Sequence, residues 1–547
     1  MFLEIELLYF IIMIAVFIVL MLLFKVPSGL SLMASAVVGL VLSTIFSHTS
    51  FELRYLVEGT FGYFDTILTI TTAMVFMGAL QASGALEYIS AVLVKTFRKF
   101  PSILLIAFII IIMFPAMVTG SSLASAISAG ALVAPIMIKW GIPKAKTGAI
   151  VALGSILGMV APPVNVPAMV ICDVVDIAFT NFTLPLLLLS IPVAVFGVLL
   201  LGRKYVKPIA EEDISKVVNT DILKELNVTC CIPLFTLIIL IVLEMIFPRI
   251  FGSLAMPGMF VISTIIAFFT GRRLPFWKKG RKILEEEDGE KIESVIDVVR
   301  EGIKKSFGAM GLLMGVGMFM EVIALNGVRS YFVTNAMMLP AALRYVSMAL
   351  TLPIFGGISA FGSASILGGP FVMAMYTSYT SVTLTCGFSL LAATGEFLPP
   401  TAMSSTFASN IVGEKGWSKV TKAAIPAIVL TFGYNLVYIL VFAKIIFDEK
   451  LSKNANTAYL ILFAITMAVS ILASVVYVLI ASKSSKAKDL ALEANEVETS
   501  NDEQTSDDEQ TSNDVQTTDV LETEEATDEE ETSIEDIESN NEEEDNE

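Results

Sequence analysis

Two clusters of small, hydroxyl-bearing and ring residues interrupt otherwise apolar stretches of this chain. Gly120-Ser121-Ser122 ends one apolar segment, and Pro162-Pro163, followed by Asn165, breaks a later one. Gly362-Ser363-Ala364-Ser365 ends another, and Pro399-Pro400-Thr401 follows, with Ser404 and Ser405 just beyond. Hydroxyls and main-chain carbonyls are hard oxygen donors, the kind that hard cations such as Na+ prefer. Proline lacks an N–H and clashes with the preceding turn, so each Pro-Pro pair frees carbonyls from their helical partners. Freed carbonyls and helix C-termini attract cations, and N–H groups at helix N-termini attract anions. Ser121 and Ser122 with the nearby carbonyls, and Ser363 and Ser365, are therefore candidate ion ligands. Asn165, Thr401, Ser404 and Ser405 would complete the ion sites or hold a carboxylate through neutral hydrogen bonds. No Arg or Lys lies in the core of either cluster. An anionic substrate would be held by dipoles, hydroxyls and bound Na+.

Two acids fall in apolar surroundings. Glu396 precedes the second Pro-Pro pair, and Glu321 interrupts an apolar run. An intramembrane carboxylate is a functional candidate, often in proton or ion coupling. Glu396, beside the proposed site, is the candidate coupling acid; Glu321 is read as structural or interfacial. Cys172, Cys230, Cys231 and Cys386 show neither metal-ligand spacing nor a disulfide framework, and read as packing residues. With one histidine and no nucleophile–base set or phosphate loop, an enzyme and a cofactor site are not expected.

The elements that position these residues must be membrane helices. The chain has 547 residues, 55% of them hydrophobic, and long apolar runs. Apolar windows predict spans near 7–24, 29–47, 64–83, 101–118, 147–171, 184–202, 229–247, 254–270, 307–326, 345–361, 387–411, 423–446 and 458–481. The segments 120–140 and 362–382 are expected to enter the membrane without crossing. Lipid offers no partner for freed backbone groups, so such breaks survive only where they line a cavity or lie buried in protein. Gly and Ser also permit close helix packing. The pattern occurs twice, however. Phe76-Met77 and Gly84 align with Phe319-Met320 and Gly327 at an offset of 243, the Gly-Ser pairs at 242, and the Pro-Pro pairs at 237. Paired interrupted segments in two halves point to a transport site. Counted this way, six spans separate equivalent points, which makes the halves parallel; an inverted repeat needs an odd number.

After Gly84 and after Gly327 the chain reads as a helix near the membrane interface, or as an extension of the preceding span. The segment 290–306 reads as an amphipathic helix, and the basic loop 271–306 is placed in the cytoplasm. Trp140 and Trp417 read as interfacial anchors. The N-terminus lacks the basic start of a signal peptide and reads as a retained first span. The formal charge is −18, but residues 489–547 carry 26 acids and no Lys or Arg; −18 less −26 leaves +8 for residues 1–488. That tail cannot bury enough apolar surface to order itself.

The segments FKVPSGLSLMASAVVGLVLS, MGALQASGALEYISAVLV and VTGSSLASAISAGALVAPIMIKWGIPKAKTGAIVALGSILGMVAPPVN resemble the large membrane subunit of TRAP transporters, C4-dicarboxylate permease-like proteins of the ion transporter superfamily. The resemblance is good over 8–205 and weaker over 230–446. It implies re-entrant hairpins, inverted repeats, an elevator motion and Na+-coupled uptake of organic acids across the bacterial cytoplasmic membrane. It also implies a small membrane subunit and an extracytoplasmic substrate-binding protein as partners. By position, Gly120, Ser121, Ser122 and Asn165 fall in a first ion site, and Gly362, Ser363 and Thr401 in a second. Leu398 before the second Pro-Pro pair, the last span and the acidic tail depart from the family pattern, which leaves a stand-alone permease or cation/proton antiporter of the same superfamily as the alternative.

The expected fold is thus an all-α polytopic membrane protein of about 11–13 transmembrane helices, with two re-entrant hairpins in two structural repeats and a disordered acidic tail. The expected divisions are a first membrane repeat over 1–205, a polar linker over 206–228, a second repeat over 229–447, an additional helix within 448–484, and the tail over 485–547.

Overall fold

A computed structural model describes residues 5–46, 51–219, 222–247, 254–270, 295–375, 379–447, 457–473 and 475–476. These residues all fall in one compact unit that ends at Ser482; the acidic tail expected after 485 lies outside them. The described residues form helices and no strands, and eight of the helices are long and apolar enough to cross a membrane. Large apolar side chains such as Ile11, Ile239, Val429 and Ile465 stay exposed on the outer faces, as a lipid-facing surface requires.

One group of helices is built on Val295–Leu325. This helix has 31 residues, about 46 Å at the usual rise. It packs along Ser28–Phe46, Arg54–Phe61 and Phe64–Ala82, with Ile5–Leu22 against Ser28–Phe46 and Ala255–Thr270 against Phe64–Ala82. Gly59 and Gly317 let two backbones touch: a Cβ on Gly317 would lie 1.9 Å from the Gly59 carbonyl oxygen. Residues 295–306 are the first turns of this long helix. Within the described residues the amphipathic segment is therefore the start of this longer helix, and Val298, Gly302 and Ser306 bury one face against the same group as the residues that follow.

The second group holds both clusters read from the sequence. It contains Pro101–Thr119, Lys144–Val160, Val166–Val175 and Thr183–Gly202 from the first half, and Ala341–Gly356, Ser381–Thr394, Met403–Val412 and Trp417–Val437 from the second. The predicted spans 147–171 and 387–411 are each two helices separated by a Pro-Pro break. Helix 457–473, beyond the second half, docks here: the Tyr459 and Thr383 hydroxyls lie 2.8 Å apart, both buried. Tyr459→Phe should cost about 1 kcal/mol in a thermal unfolding series of the detergent-solubilised protein; a variant as stable as the parent would deny this contact its role.

Between the groups run two short helices, Ala85–Phe97 and Val328–Met338. Each starts at a left-handed glycine, Gly84 at φ +77° and Gly327 at φ +71°, so neither is an extension of the helix before it. Residues 206–219 and 222–228 are packed rather than loose: the Ile209 N–H bonds the Arg98 carbonyl and Arg98 pairs with Glu211 at 2.8 Å. Trp140 belongs to this packing. Its indole N–H donates to the Lys207 carbonyl at 2.8 Å and its ring meets Phe108 edge-on, so it is a buried joint and not an interfacial anchor. Cys172, Cys230, Cys231 and Cys386 are free and buried.

Candidate functional site

Each hairpin is built the same way. Pro101–Thr119 ends at Gly120, which takes φ +63°, and the chain returns as Ser122–Ser125, a π-helical turn Ala126–Gly130, and Ala131–Lys139. Ser121 caps the returning helix, its oxygen accepting the Ala124 N–H at 3.3 Å. One turn further in, the buried Ser125 hydroxyl donates to the Ile112 carbonyl of the descending arm. In the second half Ala341–Gly356 descends, Ser359 caps the return by accepting the Gly362 N–H at 3.1 Å, and a π-helical turn again follows at Ala364–Gly368. Ser363 donates to the Leu352 carbonyl at 2.7 Å. Ser359 is therefore the counterpart of Ser121, and Ser363 that of Ser125, both at an offset of 238. The pairing of Gly120-Ser121 with Gly362-Ser363 is one helical turn out of register. The error arose because the second hairpin turns at Gly356-Gly357-Ile358, and Gly362-Ser363 only repeats the letters. The signal that finds Ser359 is consistency: 238 lies next to the Pro-Pro offset of 237.

The two turns are buried, with Thr119, Gly120 and Ser122 in one and Gly356, Gly357 and Ser359 in the other. A turn packed inside protein is what a re-entrant hairpin requires, and both hairpins meet that condition.

Each turn is bonded to the broken helix of its own half. In the first, the Val164 N–H donates to the Met117 carbonyl at 3.1 Å. In the second, the Thr401 N–H and hydroxyl both donate to the Gly357 carbonyl, at 3.2 and 2.7 Å. Here the backbones touch: a Cβ on Gly395 would lie 2.3 Å from the Gly356 carbonyl carbon. The breaks follow a Pro-Pro pair in each half. After the first, Asn165 caps Val166–Val175 by accepting the Ala168 N–H at 2.9 Å. Its amide also donates to the Val160 carbonyl and to Ser389 of the other half, both at 2.9 Å. The counterpart of Asn165 is Ala402, which takes φ +41° and gives no side-chain cap.

The halves interlock. Val166–Val175 packs on the second hairpin and Met403–Val412 on the first. Glu396, 6% exposed, accepts the Ser122 hydroxyl of the first hairpin at 2.5 Å, and Ser404 donates to the same Oε2. Ser405 bonds Thr421 at 2.9 Å. The structure thus brings Ser122, Glu396 and Ser404 to one point. The Ser365 hydroxyl lies 3.4 Å from that of Tyr63, which joins the second hairpin to the other helix group. Glu321 lies on Val295–Leu325 in that other group. The residues missed from the sequence, Ser125, Ser155, Ser359, Ser389 and Tyr63, carry no motif; only their bonding partners single them out.

The donors around the turns are hydroxyls and carbonyls, a set that suits Na+. Ser121, Ser363 and Thr401 use their hydroxyls locally, yet their oxygens keep lone pairs for a cation. Among the described residues no three of His, Cys, Asp and Glu gather to hold a metal.

No curated protein sequence matches the chain. The structure is similar to that of the Alcanivorax borkumensis YdaH transporter, with a TM-score of 0.48 and 17% identity, over 71% of this chain and 88% of that one. Residues 7–445 match the family described as tripartite ATP-independent periplasmic transporter, DctM component. The match spans both hairpins and both breaks and leaves residues 1–6 and 446–547 outside it; the chain belongs to the DctM family, the large membrane component of TRAP transporters, as a multi-pass protein of the inner membrane.

Proposed function

We propose that this chain imports an organic anion, a C4-dicarboxylate or another carboxylate, together with Na+, by moving the hairpin group against the group built on Val295–Leu325. The observation that carries this reading is the interlock: each broken helix is bonded to its own hairpin turn and seated on the other half's hairpin. Such a unit can travel whole, because its two halves are bonded to each other at Asn165–Ser389 and Ser122–Glu396 and each turn is bonded to its own break. Short helices Ala85–Phe97 and Val328–Met338 are the arms that would bend.

Within the unit, Gly120, Ser121, Ser122 and Asn165 would hold one Na+ and Gly362, Ser363 and Thr401 a second, chiefly through oxygens. Ser122, Asn165, Ser365, Thr401 and Ser404 are the proposed substrate contacts. Asn165 and Thr401 already spend their donors on the fold, so they fix the shape of the pocket. The carboxylate is held by N–H groups at helix N-termini and by hydroxyls, without a basic side chain. A small membrane subunit and an extracytoplasmic binding protein would deliver it, as the tripartite family name implies.

The test is uptake of labelled dicarboxylates into proteoliposomes, with Na+ and pH gradients imposed separately, and with and without the two partners. Accumulation should follow the Na+ gradient. Uptake that follows pH alone, with Na+ absent on both sides, would favour the proton-coupled permease instead. In the same assay Ser121→Ala and Ser363→Ala should each raise the half-saturating Na+ concentration about tenfold at normal membrane expression. Unchanged Na+ dependence in both would remove these serines from the ion sites.

A further inference from the structure

Glu396 stands outside the symmetry of the two halves. At the offset of 237 that matches the Pro-Pro pairs, its counterpart is Met159, buried and apolar, and that of Ser404 is Pro167. At the hairpin offset of 238 the counterpart of Ser122 is Ala360. None of the three polar groups has a polar twin. They nevertheless meet, since the hydroxyls of Ser122 and Ser404 reach the same carboxylate oxygen from different halves.

This meeting place lacks a charge. Among the described residues no Lys or Arg pairs with Glu396, and only Ser122 and Ser404 bear on its carboxyl group. A carboxylate buried at membrane depth without a counter-ion is costly. Two hydroxyls and one carboxylate supply four hard oxygens and a single negative charge. A monovalent cation neutralises that set, whereas a divalent one would leave a buried positive charge.

We propose that Glu396, Ser122 and Ser404 form a further Na+ site, which shares Ser122 with the ion site at the first turn and locks the first hairpin to the second broken helix. The site rests on the reading of the chain as a Na+-coupled transporter. Its consequence is directional: with Na+ present the two halves are held together at Ser122, and without it the carboxylate has no counter-charge and the first hairpin is released. An ion bound there couples the halves, which the ions held within one half do not.

The experiment counts bound ions on the purified full-length protein, using 22Na+ in equilibrium dialysis with choline chloride as the balancing salt. Wild type should bind one more Na+ than Glu396→Gln. Ser404→Ala, which keeps the carboxylate, should bind the full number with one site weakened about tenfold. That variant also decides the matter if Glu396→Gln fails to fold. Equal stoichiometry and affinity in wild type and Glu396→Gln overturns this site while leaving Na+ coupling intact, as does an unaltered Ser404→Ala titration. No Na+ binding by wild type overturns this site and the Na+-coupled reading together.

Discussion

Asn165→Ala should be among the most damaging single substitutions in the chain, with a loss of about 2–4 kcal/mol in thermal unfolding and no measurable uptake. The reason is the number of separate structures that one fully buried amide joins. Its oxygen caps Val166–Val175, and its nitrogen bonds the last turn of Lys144–Val160 across the break and Ser389 in the opposite half. Alanine leaves a buried N–H, a buried carbonyl and a buried hydroxyl each short of a partner where water cannot replace it. Asn165→Asp separates capping from bridging. Aspartate caps helices as well as asparagine does, but it cannot donate to Val160 and Ser389, and it adds a buried charge. Asp should therefore be at least as harmful as Ala. An Asp variant with wild-type melting and uptake would show that the residue is only a cap.

Gly395→Ala should be comparably disruptive through packing instead of hydrogen bonding. The new methyl would sit 2.3 Å from the Gly356 carbonyl carbon and 2.4 Å from the Pro353 carbonyl oxygen. Both obstacles are backbone and cannot rotate aside, so the second hairpin must move off its own broken helix. We expect a loss of about 1–3 kcal/mol and transport reduced to background. Gly433→Ala is the control. Nothing lies within 4 Å of a Cβ there, and in a helix alanine gains up to about 1 kcal/mol over glycine. If both variants melt and transport like wild type, the hairpin and the break are not in the contact described.

The sequence by itself determined the class of protein, the two breaks and the existence of two halves. Apolar runs and Pro-Pro pairs act over a few residues, so their meaning survives without the fold: Pro162-Pro163 and Pro399-Pro400 break helices in any context, whereas only the positive φ of Gly84 and Gly327 shows that a helix ends there. The hairpin register did not survive. A Gly-Ser pair is a turn in one half and part of a helix one turn further on in the other, since glycine and serine suit both a cap and a close crossing. An apolar helix of 19 residues gives no sign of what its end packs against, and only the fold shows the turn after Pro101–Thr119 buried in protein. Partners at sequence distances above two hundred residues were beyond any local reading. That Ser122 meets Glu396, that Asn165 meets Ser389, and that Ser365 faces Tyr63 follow from how the two halves interlock, because hydrogen bonds need atoms within about 3 Å and chain spacing carries no such information across a fold.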